Sequence, residues 1–389
     1  MKHVQRIPAP DKSKNIALIN TRQLCFLTAF ILPVSKLLET PSLFAKNALG
    51  DLLLPAFLQF LLQFIGLFAL LFITEKTGKS IFQLIEEKLG GIALKVFCSL
   101  LAVYYLFFAL LPLLDAEKFI HAVFYDTAPS RFTFTPFFFL SAFACVKSLR
   151  HFSRMADLCL PLFLISFVGI IFMSAGESDF EALLPWFEFP ASKIVSAVKN
   201  TTAHFSDALL LLPFLGSSDY QKGDGKKISA AFWLGAFFVF VFLAVFYGIY
   251  TTLAPRQHYA FSKVAQYFSA LKTVGRVDLL LVYLLTAILL LSTLLPILLS
   301  VFCLRTVFGE KFSMVLSIVI NGGLFAFVLY CNKYYNFLYG LFTDRLWWIF
   351  PAFSVGIPLF CLLLLIGNRK GGKPRQKGKK LKQGVGYAR

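Results

Sequence analysis

Read from its N-terminus, the chain alternates long apolar runs with short polar stretches, and the apolar runs have the length of a membrane crossing. A helix rises 1.5 Å per residue, so about 20 apolar residues span the ~30 Å hydrocarbon layer. On that measure the pattern predicts ten spans: Thr21–Asn47, Leu52–Thr74, a third from Ile92 to beyond Leu114, Phe134–Leu149, Ala156–Ala175, Ser192–Gly216, Ile228–Leu253, Val277–Leu304, Phe312–Cys331 and Trp347–Ile366. Residues 1–20 form a polar lead-in without the apolar h-region or cleavage site of a signal peptide, and residues 367–389 a basic tail.

Two spans break the apolar pattern at their middles. The first reads FLTAFILPVSKLLETPSLFAKNALGD, where Pro33 and Pro41 each remove a helical hydrogen bond and Ser35, Lys36, Glu39 and Thr40 fall at mid-span. The sixth reads SKIVSAVKNTTAHFSDALLLLPFLG, with Asn200, Thr201, Thr202, His204, Ser206 and Asp207 at its centre and Pro213 beyond. A charge at bilayer centre costs about 2.5–3.5 kcal/mol on insertion scales, and such residues face protein or a watery cavity. The breaks stand about 165–170 residues apart, in halves spanning 21–175 and 192–366. Five helices followed by five, each half opening on a discontinuous helix, predict an all-α integral membrane fold of ten transmembrane helices arranged as inverted repeats. A ligand is then expected where the broken helices meet. The alternative is a pair of ordinary kinked helices.

The candidate ligand-binding residues are Val34, Ser35, Lys36 and Thr40 from the first break, Thr201, Thr202, His204, Ser206 and Asp207 from the second, and Tyr104 from the third span. Lys36 and Glu39, three apart, have the spacing to pair on one helix face. His204 reads either as a buried hydrogen-bonding side chain or as a proton relay. Tyr104 and Tyr105 read either as packing or as a stack on a ligand. Asp115, Glu117 and Lys118 suggest a pairing cluster at an interface, and Ser292 and Thr293 suggest helix–helix hydrogen bonds.

Composition agrees with a membrane chain and excludes two other classes. Hydrophobic residues make up 58% and charged residues 15%, with 47 Phe, and mean hydropathy is +0.73, which suits neither a soluble domain nor a disordered chain. The net charge of +18 would ordinarily suggest nucleic acid. With ten spans, however, 26 of the 38 basic residues fall on the side of both termini and 9 on the other. That is the positive-inside pattern of a multi-pass protein with cytoplasmic termini, and no nucleic-acid partner is expected. The dissenting stretch is Pro255–Arg276, which holds four basic residues and an AFSKVAQYFSALK run that reads as a short amphipathic helix over the outer face. The seven cysteines stand singly in apolar segments and read as small buried hydrophobes. The chain lacks HExxH, GxSxG and P-loop motifs and its five histidines are scattered, so no enzyme, cofactor or metal is expected.

Three stretches carry a resemblance to a known family. They are the opening Ile19 to Gln23 followed by the break to Pro41; Ala128 to Leu162 with Pro129, Thr135-Pro136, Ser153-Arg154 and Pro161; and YFSALKTVGRVDLL, Tyr267 to Leu280, with Arg276 and Asp278. Across roughly residues 16 to 366 the chain resembles the amino acid, polyamine and organocation transporter superfamily, and more narrowly the permease-like membrane subunit of bacterial spore germination receptors. It departs at the first break, where Pro33-Val-Ser-Lys36 replaces a frequent Gly.

The resemblance implies a LeuT-like fold and a pocket for a small nutrient, an amino acid first among the candidates, with Lys36 in the place a sodium ion takes in related transporters as one possibility. It also implies a second membrane subunit and a lipoprotein as partners, in the cell membrane or the spore inner membrane. The basic C-tail either enforces orientation or binds anionic membrane lipid. Besides a germinant-sensing subunit, a free-standing amino acid permease driven by H⁺ or Na⁺ fits the same fold. A channel or structural subunit without a pocket is disfavoured by the matched breaks.

Overall fold

The computed structural model describes residues 19–125, 127, 129–185, 187–267 and 278–367. Most of both predicted tails (residues 1–18 and 368–389), most of the Tyr267–Leu280 motif with Arg276, and the far part of the predicted outer helix lie outside the described residues. Among the described residues the structure is helical, apart from one isolated bridge between Ile19 and Ser218.

The helices are α1 (Thr21–Phe26), α2 (Thr40–Ala48), α3 (Leu53–Thr77), α4 (Ile81–Leu89), α5 (Gly91–Phe124), α6 (Ser130–Val146), α7 (Leu149–Ala175), α8 (Ala191–Thr201), α9 (Leu211–Gly216), α10 (Asp224–Tyr250), α11 (Ala260–Gln266), α12 (Asp278–Phe308), α13 (Ser313–Cys331), α14 (Tyr335–Gly340), α15 (Ile349–Ser354) and α16 (Gly356–Gly367). Seven helical stretches are long and apolar enough to cross a membrane: Thr40–Thr77, Gly91–Phe124, Leu149–Ala175, Asp224–Arg256, Asp278–Phe308, Glu310–Arg345 and Ile349–Ile366. These correspond to predicted spans two, three, five and seven to ten, the first of them also taking in α2, the second half of predicted span one. Predicted span four is the shorter apolar helix Phe132–Val146. Predicted spans one and six are the interrupted pieces α1–α2 and α8–α9, in which neither half is long enough by itself.

Several boundaries differ from the sequence reading. The third span runs on to Phe124, which carries Asp115 and Glu117 into the buried interior rather than to an interface; they are 3% and 1% exposed. The fifth begins at Leu149, seven residues before its expected start. Helix α4 was not anticipated. It is initiated by a capping box, in which Ser80 accepts from the Gln83 amide and the Gln83 side chain accepts from the Ser80 amide. Its Ile81, Phe82, Leu84 and Ile85 are buried while Glu87 stays exposed, the face pattern of a surface helix.

The bundle closes around α12, the most buried of the long helices, which packs against α5, α6 and α7. Ser300 on α12 donates to the Ala102 carbonyl of α5 at 3.0 Å. Two glycines allow close approach: a Cβ at Gly66 would lie 2.5 Å from the Ser354 carbonyl oxygen, and one at Gly235 would lie 2.7 Å from Pro33 and about 3 Å from two carbonyls of the first segment. Gly235 thereby lets α10 support the first break. Large apolar side chains such as Phe172, Leu140 and Ile92 remain exposed, as suits a surface facing lipid.

The end of the bundle where the chain enters is stitched shut. The Ile19 amide donates to Ser217 and its carbonyl accepts from Asp219, each at 3.2 Å. Thr21 donates to Asp224 at 2.6 Å, while Arg22 and Gln23 both engage Asp157 on α7, at 3.2 and 3.0 Å. The lead-in therefore ties α7, the exit of α9 and the start of α10 together.

Candidate functional site

The first segment departs from α-helix in three steps. After α1 the backbone widens to a π turn over Leu27–Ile31, tightens to a 3₁₀ turn over Leu32–Leu37 with Pro33 at its start, and resumes as α2 with Pro41 in its first turn. A proline in the first turn loses no helical bond, so Pro41 restarts the helix rather than breaking it. The second segment ends α8 at Thr201, makes 3₁₀ turns over Thr202–His204 and Asp207–Leu210, and resumes as α9. Thr201 to Leu212 are buried without exception, so these unwound turns must satisfy their polar groups internally.

An ion pair joins the two breaks. The Lys36 ammonium bonds the Asp207 carboxylate across 171 residues of sequence, with the side chains only 2% and 7% exposed. The ammonium also donates to the Leu32 carbonyl at 3.4 Å and lies 5.2 Å from the Phe205 ring and 6.0 Å from that of Phe60. Asp207 receives a second bond, from the Gln63 amide on α3. The Lys36–Glu39 pair that their spacing allows does not form. Glu39 turns the other way, its carboxylate 3.1 Å from His258 Nδ1 and accepting from the Tyr259 amide at 3.4 Å.

Helix α3 holds the second break through one more amide. Gln59 Nε2 reaches the hydroxyls of Thr201 and Thr202, each at 3.1 Å, and the Val198 carbonyl at 2.5 Å. Those threonines donate to carbonyls of their own helix, Ala197 and Val198. Helix α5 caps the unwound carbonyls beyond: Tyr104 donates to the Ser206 carbonyl at 3.2 Å and Tyr105 to that of Leu209 at 3.0 Å. The Tyr104 ring lies parallel to Phe353, centroids 4.7 Å apart. Ser206 and Thr40 bond back to carbonyls one turn earlier, those of Thr202 and Lys36. Ser35 bonds the Leu32 carbonyl and Val34 packs in the core, so neither side chain joins the pair.

His204 lies beside a second buried cluster. Its Nδ1 is 3.9 Å from Asp115, which also accepts from the Tyr335 hydroxyl at 2.7 Å, while Asn332 donates to Glu117 at 3.1 Å. Lys118 sits over the Tyr335 ring, 3.6 Å from its centroid. His204 Nε2 and Gln63 Oε1 are buried without a hydrogen-bond partner among the described residues. Among the described residues no group of three or more His, Cys, Asp and Glu side chains is arranged to hold a metal. Of the cysteines, five are buried and Cys25 and Cys331 partly so, and none is in a disulfide. Ser292 is buried, and Thr293 bonds within its own helix, to the Leu290 carbonyl, rather than across helices.

The sequence-predicted residues thus separate into groups. Lys36, Asp207 and Tyr104 converge, with Thr201, Thr202 and Ser206 shaping the second break around them. His204 belongs to the Asp115 cluster, and Val34, Ser35 and Thr40 hold the first break. Sequence reasoning missed Gln59, Gln63, Phe60 and Phe205. The available signal was the pair of glutamines four apart in the otherwise apolar LLPAFLQFLLQFIG, which puts two amides on one helix face. The cavity at the pair, lined by Lys36, Gln63, Asp207, Phe60 and Pro33 among others, has a volume of only about 10 Å³. It is the size of one water site at most, so a larger occupant needs the two segments to part.

A family model described as spore germination protein, a spore permease, matches residues 18–335. No curated protein matches the chain.

Proposed function

Because the chain belongs to the spore germination permease family, we propose that it is the nutrient-sensing membrane subunit of a germination receptor, binding a small nutrient at the Lys36–Asp207 pair. The observation that carries this reading is the pair itself, a buried charge contact whose partners sit on the two discontinuous segments. Charges are rare in membrane helices and mark ligand or ion pathways. In this reading α1–α2 and α8–α9 are the first and sixth of ten crossings, α6 is the fourth, and the halves are LeuT-like inverted repeats with both termini cytoplasmic.

The nutrient is an amino acid. Its carboxylate complements Lys36 and its ammonium complements Asp207, so a zwitterion entering between them exchanges one internal pair for two with the ligand. The buried, unpartnered Gln63 Oε1 beside the pair offers a further acceptor. A ligand shifts a conformational equilibrium only through its different affinities for the two states. Here the difference lies in whether the breaks are joined to each other or to the ligand, and the altered spacing is what a second membrane subunit and a lipoprotein would read. Lys36 supplies a fixed cation at the site, no bound metal is invoked, and no catalytic step is assigned.

The test is a variant in which both charges are removed while shape is kept, Lys36→Met with Asp207→Asn, introduced into the spore. The protein is expected at normal abundance in the membrane, with the nutrient dose response lost. A normal dose response overturns the assignment. A free-standing permease would use the same pair during alternating access, and uptake of labelled amino acid into vesicles holding this subunit alone is the outcome that would favour it.

A further inference from the structure

A second, ligand-sized cavity lies toward the end of the bundle opposite Thr21, and neither Lys36 nor Asp207 lines it. Thr21 is bonded to Asp224 at the start of α10, so the turn after Tyr250 stands at the opposite end of that helix, about 40 Å away at 1.5 Å per residue. There the cavity has a volume of about 500 Å³, lined by Arg256, Gln257, His258, Lys263 and Gln266 with the end of α5 as its back wall. The size is that of a small-molecule site. Arg256 and Lys263 are cationic, neither is in an ion pair among the described residues, and no acidic side chain among those residues lines the cavity.

The frame around these cations is fixed. The Ala260 amide donates to Leu38 at 2.8 Å, His258 meets Glu39 at 3.1 Å, Tyr250 donates to the Lys263 carbonyl at 2.8 Å, and Ser174 donates to that of Val264 at 3.0 Å. Helices α7 and α10 together with the first break therefore position α11 and the turn before it, two of the contacts falling on the first break. Of the acids near this frame, Glu39 is engaged by His258 and Asp115 accepts from Tyr335, so among the described residues Arg256 and Lys263 are the charged side chains that line the cavity itself.

We propose that this cavity is a second binding site, for a small soluble organic anion whose carboxylate is held between Arg256 and Lys263. Guanidinium and ammonium donors beside amide side chains are the chemistry that recognises a carboxylate. A lipid phosphate shares that chemistry but brings acyl chains, for which Ala122 and Val123, the apolar part of a mostly polar lining, offer only a small surface. The site is separate from the proposed nutrient pocket and does not depend on it.

The test titrates purified full-length protein, in detergent without added lipid, with succinate by calorimetry. Saturable binding is expected, weakened at least tenfold in Arg256→Gln/Lys263→Gln and unchanged within twofold in Lys36→Met/Asp207→Asn. Both variants are first shown to melt as single transitions without ligand, and Arg256→Gln alone, expected to lose part of the affinity, serves if the double variant does not. No succinate binding, or equal binding in the cavity variant, overturns the proposal. So does stabilisation by nanodiscs rich in phosphatidylglycerol with none by succinate, which would make the occupant a lipid headgroup.

Discussion

Removing one charge from the Lys36–Asp207 pair should cost far more than removing both. The pair is sealed, with side-chain exposures of 2% and 7%. In Asp207→Asn the ammonium keeps the Leu32 carbonyl at 3.4 Å and the Phe205 and Phe60 rings at 5.2 and 6.0 Å. Cation–π contacts supply about 0.5–2 kcal/mol, whereas leaving one partner of a buried pair unmatched costs about 3–5 kcal/mol. At about 1.4 kcal/mol per tenfold, that is a loss of roughly a hundredfold or more in the folded ratio. Lys36→Met leaves the carboxylate with Gln63 alone and should cost a similar amount. The double variant Lys36→Met/Asp207→Asn removes both charges while the Asn oxygen still accepts from Gln63, so it should lie within about 1 kcal/mol of wild type. Denaturant unfolding of all four proteins in one detergent gives the cycle, and a coupling of at least ~2 kcal/mol is expected. Additive single costs, within about 0.5 kcal/mol, would refute the reasoning that the two charges support each other.

Other consequences are smaller or more local. Tyr104→Phe strands the Ser206 carbonyl in a buried turn and should destabilise by about 1–3 kcal/mol while shifting the nutrient dose response, with Tyr105→Phe costing as much in stability through the Leu209 carbonyl; unchanged melting in both would contradict the capping role. Gly235→Ala drives a methyl into Pro33 and the carbonyls of the first segment, with an expected loss of about 1–3 kcal/mol by thermal unfolding. The His258–Glu39 contact should depend on pH. Its hydrogen bond to Glu39 raises the His258 pKa above its ordinary 6.5, aided by the charges of Glu39 and Asp115 and opposed by partial burial and by Lys118. The contact is therefore intact below the ordinary value and lost as pH rises through the raised one. Hydrogen exchange over residues 257–267 should quicken, beyond its intrinsic pH trend, across that window in wild type and not in His258→Asn; identical profiles would remove His258 as the titrating group.

Much of the fold was legible because membrane insertion imposes a length on each apolar run, and the breaks were legible because proline and charge interrupt that run where insertion is most costly. What joins the breaks was not. Lys36 had a carboxylate three residues away in Glu39 and found its partner 171 residues away in Asp207, a choice set by the tertiary approach of two unwound turns. Tyr104 was singled out, but its hydroxyl binds the Ser206 carbonyl and its ring stacks on Phe353, because unwinding left a buried carbonyl that needed a donor. Asp115 and Glu117 were assigned to an interface because charged residues ordinarily close a membrane helix, whereas this helix continues to Phe124 and buries both. Helix α4 and the two α3 glutamines did leave signals, a Ser80–Gln83 capping box and amides four apart, which were outweighed by the surrounding apolar pattern.

The central claim is that a small nutrient binds where Lys36 and Asp207 meet. It is tested most directly by the melting temperature of the purified protein against a panel of the common amino acids. Binding to the native state alone stabilises by about 2.7 kcal/mol at a hundred times the dissociation constant. At least one amino acid is expected to raise the melting temperature of wild type and of Arg256→Gln/Lys263→Gln, but not that of Lys36→Met/Asp207→Asn. Stabilisation by no amino acid, or an equal rise in the variant lacking the buried pair, would contradict it.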